Sequence, residues 1–168
     1  MSSKPLPNPK WVDYSSSLIG YNENTHRQLI MSWARDIGPD YWSMNFDPAQ
    51  DQSDWQTLFV AHCLKRCGGS LPKNHLIAQE WLAYGDLLKQ PYLGSLIIVM
   101  SQDVFHIGFA VGITPDGQLV MRGGNQDDGI VNMAVNPKSV FQHRWPRVPG
   151  STPGKLPTMS PVKSLIIG

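Results

Sequence analysis

Two cysteines and a few histidines are the side chains of this 168-residue chain that most readily take part in nucleophilic or metal chemistry. Cys63 and Cys67 stand one helical turn apart, which is a poor arrangement for a disulfide, so both are expected to be free thiols. Zinc would need more ligands at suitable spacing. His62 is expected to be exposed and His75 lies in a Pro-Lys-Asn loop. We therefore expect core thiols, no metal site and no cofactor.

The spacing of apolar residues predicts that both cysteines lie on the longest helix, over positions 53–67. Ser53 can cap its start with Gln56 three residues on, and Gly68-Gly69 ends it. Shorter helices are predicted over 11–18, 25–37 and 76–84. Residues 39–54 are predicted to form a loop whose aromatic side chains pack back on the core.

After Pro91 the pattern changes to short apolar and β-branched runs that are typical of strands. These runs cover 94–101, 104–113, 118–122, 130–135 and 140–145. Helices followed by consecutive strands predict an α+β domain in which N-terminal helices pack on an antiparallel sheet. The predicted organisation is a loose N-terminus (1–10), one domain (11–146) and a Pro-rich extended tail (147–168). The tail ends in Leu165-Ile166-Ile167, so we expect it to dock on the domain or on a partner.

Composition and charge exclude several classes of protein. With 41% hydrophobic and 16% charged residues, the chain can bury a core and is not disordered throughout. A net charge of +1 without a basic stripe argues against a nucleic-acid partner. The longest strongly apolar run, 96–100, is too short to span a membrane, and the N-terminus lacks the apolar region of a Sec signal. We therefore expect synthesis in the cytoplasm and no membrane partner.

A series of short motifs follows in one order from position 54 to position 146. It comprises Trp55-Gln56 with Phe59-Val60 and Cys63-Leu64, then Trp81-Leu82, Tyr84-Gly85, Pro91 to Gly94, His106-Ile107-Gly108-Phe109, Gly123-Gly124-Asn125-Gln126 and Arg144-Trp145-Pro146. This series resembles the NlpC-type peptidoglycan peptidases, a papain-like group that includes the CHAP amidases and occurs in phage lysins and bacterial cell-wall hydrolases. The resemblance covers just over half the chain and implies a papain-like NlpC-type fold, with the stem peptide of peptidoglycan as ligand.

The resemblance also implies where the catalytic residues would lie. The family places a cysteine nucleophile in the first turn of a helix, where this chain has Gln56 after Trp55; a histidine base corresponds to His106 and its orienting group to Asn125. Gln126 is a substitute for Asn125, as are Asp103 or Asp128 if the turn is built differently. An amide cannot act as a thiolate, and Cys63 lies ~10 Å further along the helix. We therefore expect a remnant catalytic site of His106 and Asn125, with Trp55, Gln56 and Gln126 as ligand-binding residues.

Simpler interpretations of the same residues stay open at this point. Gln56 can be the second member of a capping box with Ser53, His106 an ordinary strand histidine, and Asn125 a turn residue that tolerates a positive φ. The family pattern also has Asp where this chain has Ser95. If the alignment is right, Gln56 lies within reach of His106, with Asn125 or Gln126 on the far side of that ring.

Two functions are consistent with these observations. The first is a cell-wall-directed protein of cysteine-peptidase descent, of the phage-lysin or secreted-toxin type. It would bind a peptidoglycan peptide or a protein partner without cleaving it. The second is an active peptidoglycan endopeptidase or amidase that uses His106 with water or an unrecognised nucleophile. Either protein would reach the cell wall or periplasm by a route other than Sec export.

Overall fold

A computed structural model describes residues 4–37, 55–101, 104–126, 128–160 and 163–164. Side chains at 101 and 163–164 are outside the description. The predicted cap Ser53, the predicted loop at 39–54, Asp103 and the apolar end of the tail also lie outside the described residues.

The predicted helices are confirmed, with shifted ends. Helix α1 spans Lys10–Ser16, α2 spans Arg27–Ile37 and α3 spans Gln56–Arg66. The helix predicted over 76–84 is a 3-10 helix, Ala78–Ala83. Helix α2 begins two residues later than predicted because Asn22 stabilises a turn before it. The side-chain oxygen of Asn22 accepts hydrogen bonds from the N–H groups of Asn24 and Thr25.

The strands and these helices form a mixed α+β fold, as predicted. The sheet contains β1 (Asp86–Leu88), β2 (Leu96–Ser101), β3 (Val104–Ile113), β4 (Leu119–Gln126), β5 (Gly129–Val135), β6 (Val140–Trp145) and β7 (Lys163–Ser164). Their order is β1-β6-β2-β3-β4-β5-β7, and the pairs are antiparallel except for β5 with β7. The sequence does not predict β1 or β7, which are too short for a periodic pattern.

The two faces of the sheet bury different sets of alternating side chains. Leu96 and Ile98 of β2 belong to the main core beneath the helices, whereas Ile97 and Val99 belong to a second apolar cluster. All four are fully buried, so the sheet is covered on both faces. Helix α3 is itself buried along its first nine residues and is therefore the central element of the helical layer.

Helix α1 is fastened to the sheet by a buried arginine. Arg122 on β4 is 5% exposed. Its guanidinium donates at 2.9 Å to the Val12 carbonyl, the Ser15 hydroxyl and the Asn132 side-chain oxygen. Burial lowers the pKa of Arg122, although these acceptors provide part of the solvation that water would give. The contact holds the N-terminal helix on the same side of the sheet as α3.

The expectation that His62 is exposed is wrong. Its ring is 8% exposed and stacks on Trp33 with centroids 4.4 Å apart, while Nε2 lies 2.7 Å from the Tyr14 hydroxyl. Burial lowers the pKa of His62 to about 4. The helical pattern placed His62 beside the apolar face, but α1 and α2 both pack against α3 and enclose it.

The tail packs on the domain over its described length. Val148 is 6% exposed in the main core, and Leu156 packs against the second apolar cluster. Gly154 and Thr158 form isolated bridges with Leu93 and Ile113. Docking is thus confirmed for residues 147–160, where prolines keep the backbone extended and the sheet supplies hydrogen-bond partners.

The buried state of His62 predicts a loss of stability in mild acid. An unfolded histidine takes up a proton below about pH 6.5, whereas folded His62 does so only near pH 4. The free energy of unfolding should therefore fall as the pH drops from 6.5 to 4, by up to about 3 kcal/mol from this residue. Chemical denaturation across that range measures the slope. His62→Gln, which can still bond to Tyr14, should show a shallower slope; an equal slope would contradict the assignment.

The contact between the tail and β3 predicts the effect of one added methyl group. A Cβ at Gly112 would lie 2.3 Å from the Met159 sulfur and 3.0 Å from the Pro157 carbonyl oxygen, whereas a Cβ at Gly154 would meet nothing within 4 Å. Gly112→Ala should lower the free energy of unfolding by about 1–3 kcal/mol and expose the tail to proteolysis. Gly154→Ala is the matched control and should be neutral within about 0.5 kcal/mol. Equal effects of the two substitutions would show that the tail does not pack here.

Candidate functional site

Gln56 is the first residue of helix α3, and Trp55 is its N-cap. Its predicted role as second member of a capping box is wrong, because that role requires the third helical position rather than the first. The side chain of Gln56 is 4% exposed and points to the sheet, where it meets groups from both β3 and β4. The residue at the nucleophile position of the resembled family thus bridges the helix and two strands.

The regular pairing of β3 with β4 ends close to where Gln56 contacts these strands. Strands β3 and β4 are paired from Ile113 with Leu119 to Phe109 with Arg122. Beyond that point the N–H of Ile107 donates to Oε1 of Gln56 at 3.2 Å. The glutamine amide therefore satisfies a backbone donor of β3, much as a ladder partner does elsewhere in the sheet.

The same contact determines how Gln56 meets His106. Because a backbone N–H can only donate, the atom that faces Ile107 must be the amide oxygen, and the other amide atom is then the NH₂ group. That group lies 3.3 Å from Nδ1 of His106. The amide donates and Nδ1 accepts, which assigns the ring proton of His106 to Nε2. The predicted reach of Gln56 to His106 is confirmed.

Gln126 and Asn125 have separate positions near this pair. The Gln126 amide nitrogen donates to Oε1 of Gln56 at 3.4 Å, so its contact is with the glutamine. Asn125 is half-buried at a break in the β4–β5 register and has a φ of 54°. The expected positive φ is confirmed, and asparagine tolerates the left-handed region, but the residue lies within β4 at this irregularity rather than in a turn. Its proposed role in orienting His106 stays a prediction.

Trp55 lies in the protein interior rather than on a ligand surface. Its side chain is fully buried, and atoms of its ring lie 2.8 Å from where a Cβ of Gly124 would be. Gly124 therefore allows the start of α3 to approach β4 closely, which gives the Gly-Gly pair a packing function. In this conformation Trp55 has no accessible surface with which to meet a ligand.

Sequence reasoning missed one residue of this site, Glu23. Its Oε2 accepts a hydrogen bond from the indole N–H of Trp55 at 3.1 Å. Glu23 precedes Trp55 by 32 positions and belongs to a turn rather than to a periodic element. The pairing of its segment with β5 brings it to the site, and no motif in the sequence indicates that pairing.

Burial disfavours the thiolate form of both cysteines. Burial raises the pKa of the Cys63 thiol well above its ordinary value, and nearby Cys67 adds to the increase. Burial also raises the pKa of Cys67. Cys63 is fully buried in the core, as predicted, and a protonated thiol in an apolar environment is inert.

The end of the sheet next to His106 carries exposed apolar side chains. Met100, Val104 and Phe141 are each about half exposed, and Phe105 packs edge-on against Phe141 with centroids 6.0 Å apart. His106 follows Phe105 directly and is itself half-buried. We call Met100, Val104, Phe105 and Phe141 the apolar rim.

Comparisons with known proteins give no relative: no family model, no curated protein and no solved structure matches this chain. Across the described ranges, no helix is long and apolar enough to cross a membrane. In the same part of the chain, His, Cys, Asp and Glu side chains form no group of three or more that could hold a metal ion.

The geometry of the site predicts the behaviour of a restored thiol. In Gln56→Cys the sulfur would sit at the first turn of α3 near Nδ1 of His106, where the helix N-terminus favours a thiolate. The rate of alkylation by a small reagent, followed against pH, should give a thiol pKa about one unit or more below the ordinary value. The midpoint of the pH profile is used because it does not depend on how accessible the thiol is.

Ser16→Cys, an exposed thiol in the last turn of α1, is the reference for this experiment. Cys63 and Cys67 serve as internal slow controls, because burial raises the pKa of both. A midpoint for Cys at position 56 that equals or exceeds the Ser16→Cys midpoint would show that the environment no longer activates a thiol.

Proposed function

We propose that this protein is a cell-wall-directed binding protein of cysteine-peptidase descent, with a papain-like NlpC-type fold and a nucleophile position that no longer supports catalysis. The ligand is the stem peptide of peptidoglycan. The setting is that of a phage lysin or a secreted toxin, made in the cytoplasm and acting at the cell wall or periplasm after export by a route other than Sec. The ordered motifs between positions 54 and 146 support this descent.

One observation carries the non-catalytic part of the proposal. The amide of Gln56 occupies the nucleophile position and donates to Nδ1 of His106, the nitrogen that a general base would use toward that position. A nucleophile needs an adjacent base with a free lone pair, and here that lone pair already accepts a hydrogen bond from a group that cannot attack. Both thiols of the chain lie elsewhere on α3 or at its end, with raised pKa values.

The binding part rests on what surrounds the Gln56–His106 pair. His106 and Asn125 are both half-buried, so each combines a polar group with partial access from solvent. The apolar rim lies on the same end of the sheet and provides exposed hydrophobic surface beside these polar groups. Exposed apolar side chains at the same end of a sheet as a few polar groups suit a peptide, whose backbone needs hydrogen bonds and whose side chains need contact area.

A sedimentation experiment with purified insoluble peptidoglycan tests the proposal. The wild-type protein should pellet with the wall, and the supernatant should gain no new amines or stem peptides. His106→Ala and Asn125→Gly should each weaken pelleting, by about tenfold in apparent affinity if the residue contacts the ligand. Glycine is chosen at Asn125 because it removes the side chain while keeping the positive φ.

Asn74→Gly removes an exposed asparagine from the loop before the 3-10 helix and is the matched control, which should pellet like the wild type. Release of amines above the level of His106→Ala would favour the enzyme interpretation. Failure of the wild type to pellet would contradict the choice of ligand. Circular dichroism checks that each variant is folded before it is compared.

A further inference from the structure

The carboxylate of Glu23 meets the residue that starts the site helix. Its Oε2 accepts the indole N–H of Trp55 at 3.1 Å, and Trp55 is the N-cap of α3. Trp55 makes no side-chain capping bond of its own, so its indole is held by Glu23 rather than by the helix. A charged acceptor for a buried donor is among the stronger hydrogen bonds in a protein.

Glu23 is held in place by pairing between its segment and β5. The N–H of Gly20 donates to the Ile130 carbonyl at 3.0 Å, and the N–H of Ile130 donates to the Tyr21 carbonyl at 2.9 Å. Two residues on, the N–H of Glu23 donates to the Asp128 carbonyl at 3.0 Å. Glu23 is therefore held against the β4–β5 hairpin, which also carries Gln126.

Trp55 connects Glu23 to Gln56. Its ring packs on Gly124, where an added Cβ would lie 2.8 Å from a ring atom, and the next residue is Gln56. The distance from Gln56 to His106 is already 3.3 Å, so a small displacement of the helix start would break that contact. The indole thus links the hairpin to the Gln56–His106 pair.

We propose that Glu23 is a positioning residue for the Gln56–His106 pair, acting through the indole of Trp55. It fixes the start of α3 against β4 so that the Gln56 amide reaches Nδ1 of His106 and the Ile107 N–H together. This role concerns the geometry of the site and holds whatever ligand the site binds.

Nitrogen NMR of the His106 ring tests this role directly. Gln56→Ala defines the Nδ1 chemical shift that His106 has without its glutamine donor. Glu23→Ala should move the wild-type shift toward that value by about half or more, because removing one hydrogen bond is enough to displace the indole. Glu23→Gln should keep the wild-type shift, since its amide oxygen can accept the same hydrogen bond from the Trp55 indole.

Glu80→Ala, which removes an exposed carboxylate from the 3-10 helix, is the control and should leave the shift unchanged. A purely structural role would lower the melting temperature of Glu23→Ala without moving the His106 resonance. That result, or a Glu23→Gln shift as large as that of Glu23→Ala, would overturn the proposal. If Glu23→Ala does not fold, Glu23→Asp takes its place, because it keeps the charge and shortens the side chain by one methylene. An unchanged His106 shift in Glu23→Asp would also overturn the proposal.

Discussion

The hydrogen bonds of one buried amide hold the first turn of α3 against two central strands of the sheet. Gln56 joins the first turn of α3 to His106 and to the N–H of Ile107 on β3, and Gln126 of β4 donates to the same amide oxygen. A buried amide is stabilising only when its donors and acceptors are paired, so these contacts require one another. Near the end of the β3–β4 pairing the Ile107 N–H bonds to Gln56, and Gly124 lets the ring of the preceding Trp55 approach β4 closely.

Under the proposed descent from a cysteine peptidase, a catalytic dyad would have become a structural one. A thiol and an amide can both approach Nδ1 of a histidine, but a thiol gives up its proton whereas an amide keeps it. In this structure Nδ1 of His106 accepts from the Gln56 amide. The start of α3 and the strands β3 and β4 position the pair. Under the proposed function, the same framework that once aligned a reaction now presents His106, Asn125 and the apolar rim to a ligand.

Sequence reasoning predicted the parts of the fold that have strong periodicity. The strands at 104–113 and 140–145 have the predicted ends, and the spacing of apolar residues predicted the position of α3. The meeting of Gln56 with His106 was also predicted, through an ordered series of motifs rather than from spacing. The role of Glu23 was not predictable, because it depends on a bridge between a turn and β5 that has no local signature. The burial of His62 was not predicted for a related reason. Helical periodicity indicates on which face of α3 the side chain lies, but α1 and α2 determine whether that face is buried.

The central claim is that the Gln56 amide donates to Nδ1 of His106. The most direct measurement is the pair of ring-nitrogen chemical shifts of His106 in the wild-type protein, assigned by comparison with His106→Ala. We predict a neutral ring with its proton on Nε2 and an unprotonated Nδ1 whose shift changes when Gln56 is replaced by alanine. A proton on Nδ1, or a shift that is indifferent to Gln56, would contradict it.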